Sequence, residues 1–220
     1  MPDDEPKWSR RKQARPSEII GAALAVFVEK GFADAKLDDI AHRAGISKGT
    51  LYLYFETKEE LFRAVARSAV ASHLEAIENT AEAFNGPFAE LAPMLLSRAA
   101  VMMSGAQLPA MARMVIGESR RFPDLARVWH NDVVAHVIRM VSGIVARGQA
   151  RGEVMPGDPR LHAFSLVGPL VMAMLFREVF GDVGADSPDL QVLAGQHART
   201  GLHGLLTRST GDPANGRRTK

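Results

Sequence analysis

The sequence predicts an all-α protein of about nine helices, and three features of the 220-residue chain support this fold class. In most segments apolar residues recur every three or four positions, which is the spacing of one face of an α-helix. Clusters of Gly, Pro, Asn and Asp separate these segments and mark the turns between helices. No segment shows the alternation of apolar and polar residues that is typical of a half-buried strand.

Composition narrows the possible functions without identifying one. The chain has no cysteine, which excludes disulfides and thiolate metal sites, and it carries no HExxH motif, so we expect no cofactor and no metal. The net charge of +2 is too small to indicate nucleic-acid binding by itself, so any such indication must be local. Arg, His, Glu or Asp residues break up the later apolar stretches, and we predict a cytoplasmic protein that does not interact with a membrane.

Residues 1–15 contain three acidic side chains followed by five basic ones. This composition predicts a flexible basic arm, which either lies along nucleic-acid phosphates or in a minor groove, or is a solvated terminus. The first helix is predicted to begin at Pro16 and to end at Gly31. Its apolar stripe consists of Ile20, Ala23, Leu24 and Phe27.

Residues 37–58 have the pattern of a helix-turn-helix. Gly45 provides the left-handed residue that ends the first helix, and Ser47 caps a second helix that begins at Lys48. The second helix is predicted to bury Leu51 and Phe55. The apolar face of the first helix consists of Leu37, Ile40, Ala41 and Ala44. We therefore predict a DNA-binding domain over residues 16–60.

The remainder of the chain is predicted to form a larger helical domain over residues 61–208. A long helix from Lys58 to about Asn85, capped by Thr57 with Glu60 completing a capping box, would connect the two domains. Residues 209–220, rich in Gly, Pro, Arg and Lys, are predicted to be disordered. The other predicted helices span residues 88–104, 108–120, 123–150, 158–181 and 188–207.

Residues 31–62, GFADAKLDDIAHRAGISKGTLYLYFETKEELF, strongly resemble the TetR/AcrR family of bacterial transcriptional regulators. The resemblance covers about the first 70 residues; the later region agrees mainly in the number and length of its helices. It implies a homodimer of all-helical subunits in which three helices bind DNA and a larger body holds a small-molecule pocket and the dimer surface. It also implies a palindromic operator on double-stranded DNA.

The resemblance further implies roles for individual side chains of the helix-turn-helix. Residues at the family's base-contacting positions are Lys48, Gly49 and Thr50, and residues at its phosphate-contacting positions are Tyr52, Tyr54 and Lys58. These residue types suit the contacts, because lysine can donate to guanine, threonine can touch a thymine methyl, and phenols and ammonium groups bind phosphate.

At Lys36 this sequence departs from the family, which commonly has Thr or Ser there as a helix cap. Lysine cannot cap a helix N-terminus, but it can still contact phosphate as a point charge.

Methionine is concentrated in the second half of the chain, because every one of the ten except Met1 lies at or beyond Met94. Flexible thioether side chains suit a pocket for apolar or amphipathic effectors, although filling a helical core is the alternative for each of them. The residues predicted to contact the effector are Met94, Met102, Met103, Met111, Met114, Glu118, Trp129 and His130.

Two further groups of residues lie on single helix faces. Asp132, His136 and Arg139 are predicted to form a solvated or interhelical salt-bridge row. The last two long helices are predicted to form the dimer surface, and the family resemblance implies that they pair with their symmetry mates as a four-helix bundle. The residues predicted to form this surface are Leu190, Leu193, Ala194, His197, Gly201 and Leu205.

The sequence thus predicts a ligand-responsive DNA-binding regulator, most often a repressor in this family, rather than an enzyme. One alternative is a helical ligand carrier or protein-interaction module whose helix-turn-helix does not read DNA, suggested by Lys36. The other alternative is an enzyme that uses His130 with Asp132 or Glu118 as acid–base groups.

Overall fold

The computed structural model describes the backbone of residues 7–184 and 186–206 and the side chains of residues 16–181, 183–184 and 186–206. This part of the chain is all-α, as predicted. Its helices are α1 (Lys7–Asp34), α2 (Leu37–Arg43), α3 (Lys48–Tyr52), α4 (Lys58–Ala83), α5 (Phe88–Ser104), α6 (Gln107–Glu118), α7 (Pro123–Trp129), α8 (Ala135–Ala150), α9 (Pro159–Phe180) and α10 (Leu190–Leu205).

A π-helical turn, His130–Val134, joins α7 to α8 without a break. The predicted helix over 123–150 is therefore continuous, and the described residues form nine helical rods when this run is counted once. A 3₁₀ turn, Gly181–Val183, follows α9.

Helix α1 begins nine residues earlier than predicted. It continues through Pro16 from Lys7, so residues 7–15 belong to a helix and are not a separate arm. Gly31, with φ 74° and ψ 173°, interrupts the helix. This is the residue at which the sequence predicts the helix to end. Residues 1–6 of the predicted arm and the predicted disordered tail, 209–220, lie outside the described residues.

Helices α1 to α3 form an N-terminal head, and α4 connects it to the body made by α5 to α10. The Thr57 hydroxyl caps α4 by accepting from the Glu60 amide at 3.1 Å, and the Glu60 carboxylate reaches back to the Glu56 amide at 2.9 Å. One hydrophobic core runs through both parts, from Ile19 in α1 to Leu205 in α10. The head is therefore joined to the body by a shared hydrophobic core as well as by α4.

Helix α9 occupies the middle of the body, where it contacts α5, α6, α8 and α10. Its N-terminus is capped by Asp158, whose carboxylate accepts from the Arg160 amide at 2.8 Å. By length and composition alone α9 could cross a membrane, a property that core helices of soluble proteins share. Only 28% of its most apolar stretch is buried within the subunit.

Candidate DNA-binding surface and effector cavity

The second helix of the helix-turn-helix is short. Gly45, at φ 66°, turns the chain after α2, and Ser47 caps α3 by accepting from the Thr50 amide at 3.1 Å. The Ser47 and Thr50 hydroxyls also lie 2.8 Å apart, which orients the Thr50 side chain. Leu51 is fully buried as predicted, but α3 ends at Tyr52, so Phe55 packs against the core from the following turn.

Lys48 and Gly49 lie on the open side of α3. The Lys48 ammonium is bonded to the Asp38 carboxylate at 2.8 Å, and both side chains are more than half exposed. The hydrogen bond from Lys48 to Asp38 raises the pKa of Lys48. Gly49 is exposed, and a Cβ there would approach only the Ser47 hydroxyl, at 3.9 Å. The fold itself therefore does not require glycine at this position.

Three side chains follow on the same end of the head. Tyr52 is 43% exposed and Leu53 is 83% exposed, whereas Tyr54 is partly buried against the core. Tyr52 and Leu53 therefore form a small exposed apolar area at this end of the head. The predicted phosphate ligands Tyr52 and Tyr54 thus differ in accessibility.

Lys36 is exposed and is the residue before α2, where its side chain makes no capping bond. Helix α2 forms nevertheless, and Asp38 and Asp39 in its first turn provide negative charge near the N-terminal end of the helix dipole. The absence of a cap therefore does not prevent the helix, and the alternative of a non-reading motif loses its support.

Lys58 is not directed towards solvent as a phosphate ligand. Its ammonium donates to the carbonyls of Phe32 at 2.6 Å, Ala35 at 3.0 Å and Ala33 at 3.2 Å. It also lies 4.4 Å from the centre of the Phe32 ring. Burial lowers the pKa of Lys58. The structure therefore corrects its assignment from phosphate contact to a cap on the end of α1 and on Ala35 just beyond it, because the last carbonyls of a helix lack helical partners.

Glu118 joins the body to the head, in what we call the first junction, and is not an effector contact. Its carboxylate, at the end of α6, accepts from the Phe32 amide at 2.8 Å and from the Ala33 amide at 2.7 Å. Phe122, just beyond it, packs edge-on against Phe32 with ring centres 5.2 Å apart. The body thus holds the end of α1 through a charged hydrogen-bond pair and an aromatic contact.

A second junction joins the π-helical turn to α4. Asp132, whose side chain is 10% exposed, bonds to Arg67 at 2.5 Å and to Arg63 at 3.4 Å. His136 pairs with Glu78 of α4 at 2.9 Å. Of the predicted salt-bridge row, Asp132 and His136 are therefore bonded to another helix, α4. No acid–base pair forms with His130 among the described residues, since its ring is exposed and bonded to the neighbouring Asn131 at 2.9 Å.

The body encloses a cavity of about 470 Å³, which lies within the range of small-molecule sites. Every side chain that lines it is apolar, apart from the indole N–H of Trp129, and the lining comes from α4 to α9 and the π-helical turn. Three predicted effector contacts line it: Met102, Met103 and Trp129. Lining residues that the prediction missed include Met140, Met172 and Met174, which continue the same methionine-rich pattern into α8 and α9.

The other predicted effector contacts lie elsewhere. Met111 and Met114 are buried core residues outside the cavity lining, Met94 is 42% exposed on the surface, and His130 is exposed. These assignments fail because helical spacing identifies apolar faces but does not indicate which of them surrounds a void.

The predicted dimer stripe of α10 faces its own subunit. Leu190, Ala194 and Leu205 are buried, mainly where α10 packs on α5. His197 bonds to the Leu166 carbonyl at 3.1 Å, and a Cβ on Gly201 would come within 3.0 Å of the His197 ring. Leu193 is partly buried against the same core. The assignment of this stripe to the dimer surface is therefore corrected. The periodicity identifies the face of α10 that packs inside its own subunit.

Comparison with known proteins agrees with this architecture. Residues 19–65 match the family described as "Bacterial regulatory proteins, tetR family", and residues 93–192 match the "AefR-like transcriptional repressor, C-terminal domain". The Fatty acid metabolism regulator protein of Bacillus subtilis (strain 168) is 25% identical over 162 residues, covering 72% of this chain and 82% of the relative.

Solved structures show the same fold. A TetR family transcriptional regulator from Pseudomonas syringae pv. tomato str. DC3000 has a TM-score of 0.65 at 26% identity, covering 89% of this chain and 98% of that one. FadR from Bacillus subtilis, solved in complex with stearoyl-CoA, has a TM-score of 0.68 at 23% identity, covering 83% and 95%. With its helix-turn-helix head and its cavity-bearing body, the chain belongs to the TetR family of ligand-responsive, DNA-binding bacterial transcription regulators.

Proposed function

We propose that this regulator acts in the cytoplasm as a homodimeric repressor, which binds a palindromic operator and is released by an effector with a long apolar portion. The observation that carries the effector class is the apolar lining of the 470 Å³ cavity. An unpaired charge or polar group inside it would lose its hydration without gaining a partner, so the buried part of the effector must be hydrocarbon-like. Any polar end must remain at the opening.

A fatty acyl chain fits these requirements. It has no hydrogen-bonding groups along its length, and the flexible walls contributed by Met102, Met103 and Met172 can adapt to it. The similarity to a fatty acid metabolism regulator, and to a structure solved with stearoyl-CoA, supports the same class. We therefore propose a fatty acid or its thioester as the effector.

For the operator contacts we propose Lys48, Gly49 and Thr50 at base edges, and Tyr52, Tyr54 and Lys36 at phosphates. Their support is the exposure of Lys48, Gly49, Tyr52 and Lys36, together with the Ser47 cap that orients Thr50. Residues from the first turns of a recognition helix are those that enter the major groove. Leu53 joins this set as an apolar contact because it is 83% exposed beside them.

The two junctions provide routes from the cavity to the head. Val115 and Ile116 of α6 line the cavity, and Glu118 of the same helix binds the end of α1. Trp129 and Val133 also line it, and Asp132 between them binds Arg67 of α4. A ligand that moves α6 or the π-helical turn would shift the head. The ligand can shift the equilibrium between the DNA-binding and the non-binding arrangement of the heads only by the difference in its affinity for the two.

The test is a DNA selection with the purified protein, followed by footprinting of the recovered site with and without palmitoyl-CoA. We expect a protected palindrome that is lost on adding the thioester. Lys48→Ala should weaken operator binding by about 1–3 kcal/mol. It should also relax the base preference at one position of each half-site. The matched control, Arg139→Ala, removes an exposed cation from the body and should leave the site unchanged. Failure to recover any site at low salt would refute the proposal.

A further inference from the structure

A single side chain of the effector cavity can donate a hydrogen bond. Of the described residues that line the cavity, only Trp129 carries an N–H or O–H group on its side chain. No other group in the described part of the chain accepts a hydrogen bond from this indole. An indole N–H donates and does not accept, and inside a protein it usually has a partner. The cavity therefore favours a ligand that brings a hydrogen-bond acceptor to Trp129.

The cavity is elongated along the helical rod formed by α7, the π-helical turn and α8. The lining residues of this rod extend from Trp129 to Val145. A rise of about 1.5 Å per residue gives this stretch a length of roughly 24 Å. Phe88 of α5 also lines the cavity and lies at the Val145 end, because a Cβ on Gly148, one turn further along α8, would come within 3.1 Å of its ring. The donor of Trp129 is therefore at one end of a long apolar cavity.

The residues at the two ends of this rod differ in their access to solvent. Phe88, Ile144 and Val145 are each at most 5% exposed. Trp129, in contrast, is partly exposed, and the two residues that follow it in the chain are both exposed. A charged headgroup beside Phe88 would lose its hydration without gaining a partner, whereas one beside Trp129 can remain in water. The burial pattern therefore favours one orientation of an effector that has an apolar chain and a polar head.

We propose that the Trp129 indole N–H donates to the acyl carbonyl oxygen of the effector, while the hydrocarbon chain extends along α8 towards Phe88 and the headgroup stays outside, beside Trp129. The inference rests on the acyl effector proposed above, and it adds the orientation of that effector and the atom that is recognised. Recognition of the carbonyl separates acyl compounds from other long-chain lipids, since a protonated alkyl amine has no acceptor and a thioether lacks the oxygen.

The test compares palmitoyl-CoA with hexadecyl-CoA, a thioether that has a methylene in place of the carbonyl and is otherwise the same molecule. Calorimetry measures the affinity of the wild-type protein for each. A hydrogen bond of ordinary strength predicts that the thioester binds about three- to tenfold more tightly. In isotope-labelled protein, the indole N–H resonance of Trp129 should shift much further with the thioester than with the thioether.

Three variants separate the hydrogen bond from apolar contact. Trp129→Phe keeps an aromatic ring but removes the N–H group, so the preference for the thioester should disappear while hexadecyl-CoA still binds. Val137→Ala is the matched control, because it removes apolar surface from the same wall and should weaken both ligands by the same factor. Ile144→Phe reduces the space at the buried end, and should weaken palmitoyl-CoA several-fold more than the shorter decanoyl-CoA. Unfolding curves establish that the variants fold.

Equal affinities of the wild type for thioester and thioether would overturn the hydrogen bond, and so would an unchanged preference in folded Trp129→Phe. Equal losses of palmitoyl-CoA and decanoyl-CoA binding in Ile144→Phe would overturn the orientation. These results would leave the proposed function intact, since a wild type that binds palmitoyl-CoA and is released from its operator by it is still an acyl-responsive repressor. Failure of the wild type to bind palmitoyl-CoA at all would instead contradict the proposed effector class.

Discussion

Glu118 and Gly31 lie so close that a Cβ on Gly31 would come within 2.7 Å of the Glu118 carboxylate oxygen. Gly31 adopts φ 74° and ψ 173°, a conformation that is nearly confined to glycine. The kink turns the Phe32 and Ala33 amides towards that carboxylate. The end of the head's first helix is therefore shaped to receive a side chain of the ligand-binding body.

Replacing Gly31 with alanine should destabilise the protein for two reasons. The positive φ costs about 1–3 kcal/mol, and displacement of the carboxylate weakens two hydrogen bonds worth about 1–3 kcal/mol together. Gly45→Ala is the matched control, because Gly45 also has a positive φ but has no neighbour within 4 Å of a Cβ. Urea unfolding should show the larger loss for Gly31→Ala; equal losses would mean that the contact with Glu118 contributes nothing.

Glu118→Gln should reduce the communication between effector and operator. The amide group of glutamine presents a donor to one of the two backbone N–H groups, so only one hydrogen bond can remain. We expect a loss of about 1–3 kcal/mol in unfolding free energy, and a smaller ratio of operator affinities without and with palmitoyl-CoA. Glu82→Gln, an exposed change in α4, serves as control. An unchanged ratio in Glu118→Gln would show that coupling takes another route.

Asp38→Asn should strengthen DNA binding, because it releases the Lys48 ammonium from its ion pair. It also removes a negative charge close to the phosphates. Asp39→Asn is a matched control, since it removes the same charge from the same helical turn but breaks a pair with Lys30 instead. We expect the gain for Asp38→Asn to exceed that of the control, because only this change frees the Lys48 ammonium. Fluorescence anisotropy with operator DNA measures the difference, and equal gains would contradict it.

Acidification should weaken the start of α5 through Glu153. The pKa of this carboxyl is lowered first by the Arg151 guanidinium and then by the Phe88 amide, which donates to it at 2.8 Å. The ionised form is favoured in the folded state, so its contribution is present above the usual carboxyl pKa and is lost as pH falls through the lowered value.

Glu153→Gln should therefore lower stability near neutral pH and make the acid decline shallower. Urea unfolding between about pH 7 and pH 3 measures both effects. Glu75→Gln, an exposed change in α4, should leave the curve of the wild type unaltered. A variant curve parallel to that of the wild type would show that Glu153 does not titrate with folding.

Sequence reasoning succeeded where the signal is local. Gly45 and Ser47 determine the turn and the cap of the helix-turn-helix through their own backbone and side-chain preferences, and the structure has both. Thr57 with Glu60 determines the start of α4 in the same way. The all-α class follows from apolar periodicity, which each helix displays independently of its neighbours.

Assignments that depend on what a side chain meets were the ones that failed. Lys58 and Glu118 have the residue types of a phosphate ligand and of a polar pocket group, yet both bind the end of α1 from distant positions in the chain. Leu190 and Ala194 lie on a real apolar stripe, but the partner of that stripe is α5 of the same subunit.

By itself, then, the sequence determined the all-α class, the caps at Ser47 and Thr57 and the helix-turn-helix motif, because these depend on neighbours within a few residues. Only the tertiary structure decided which methionines surround the cavity and which charged groups join head to body. Those properties depend on contacts between residues far apart in the chain, and helical spacing shows that a face is apolar without showing what it faces.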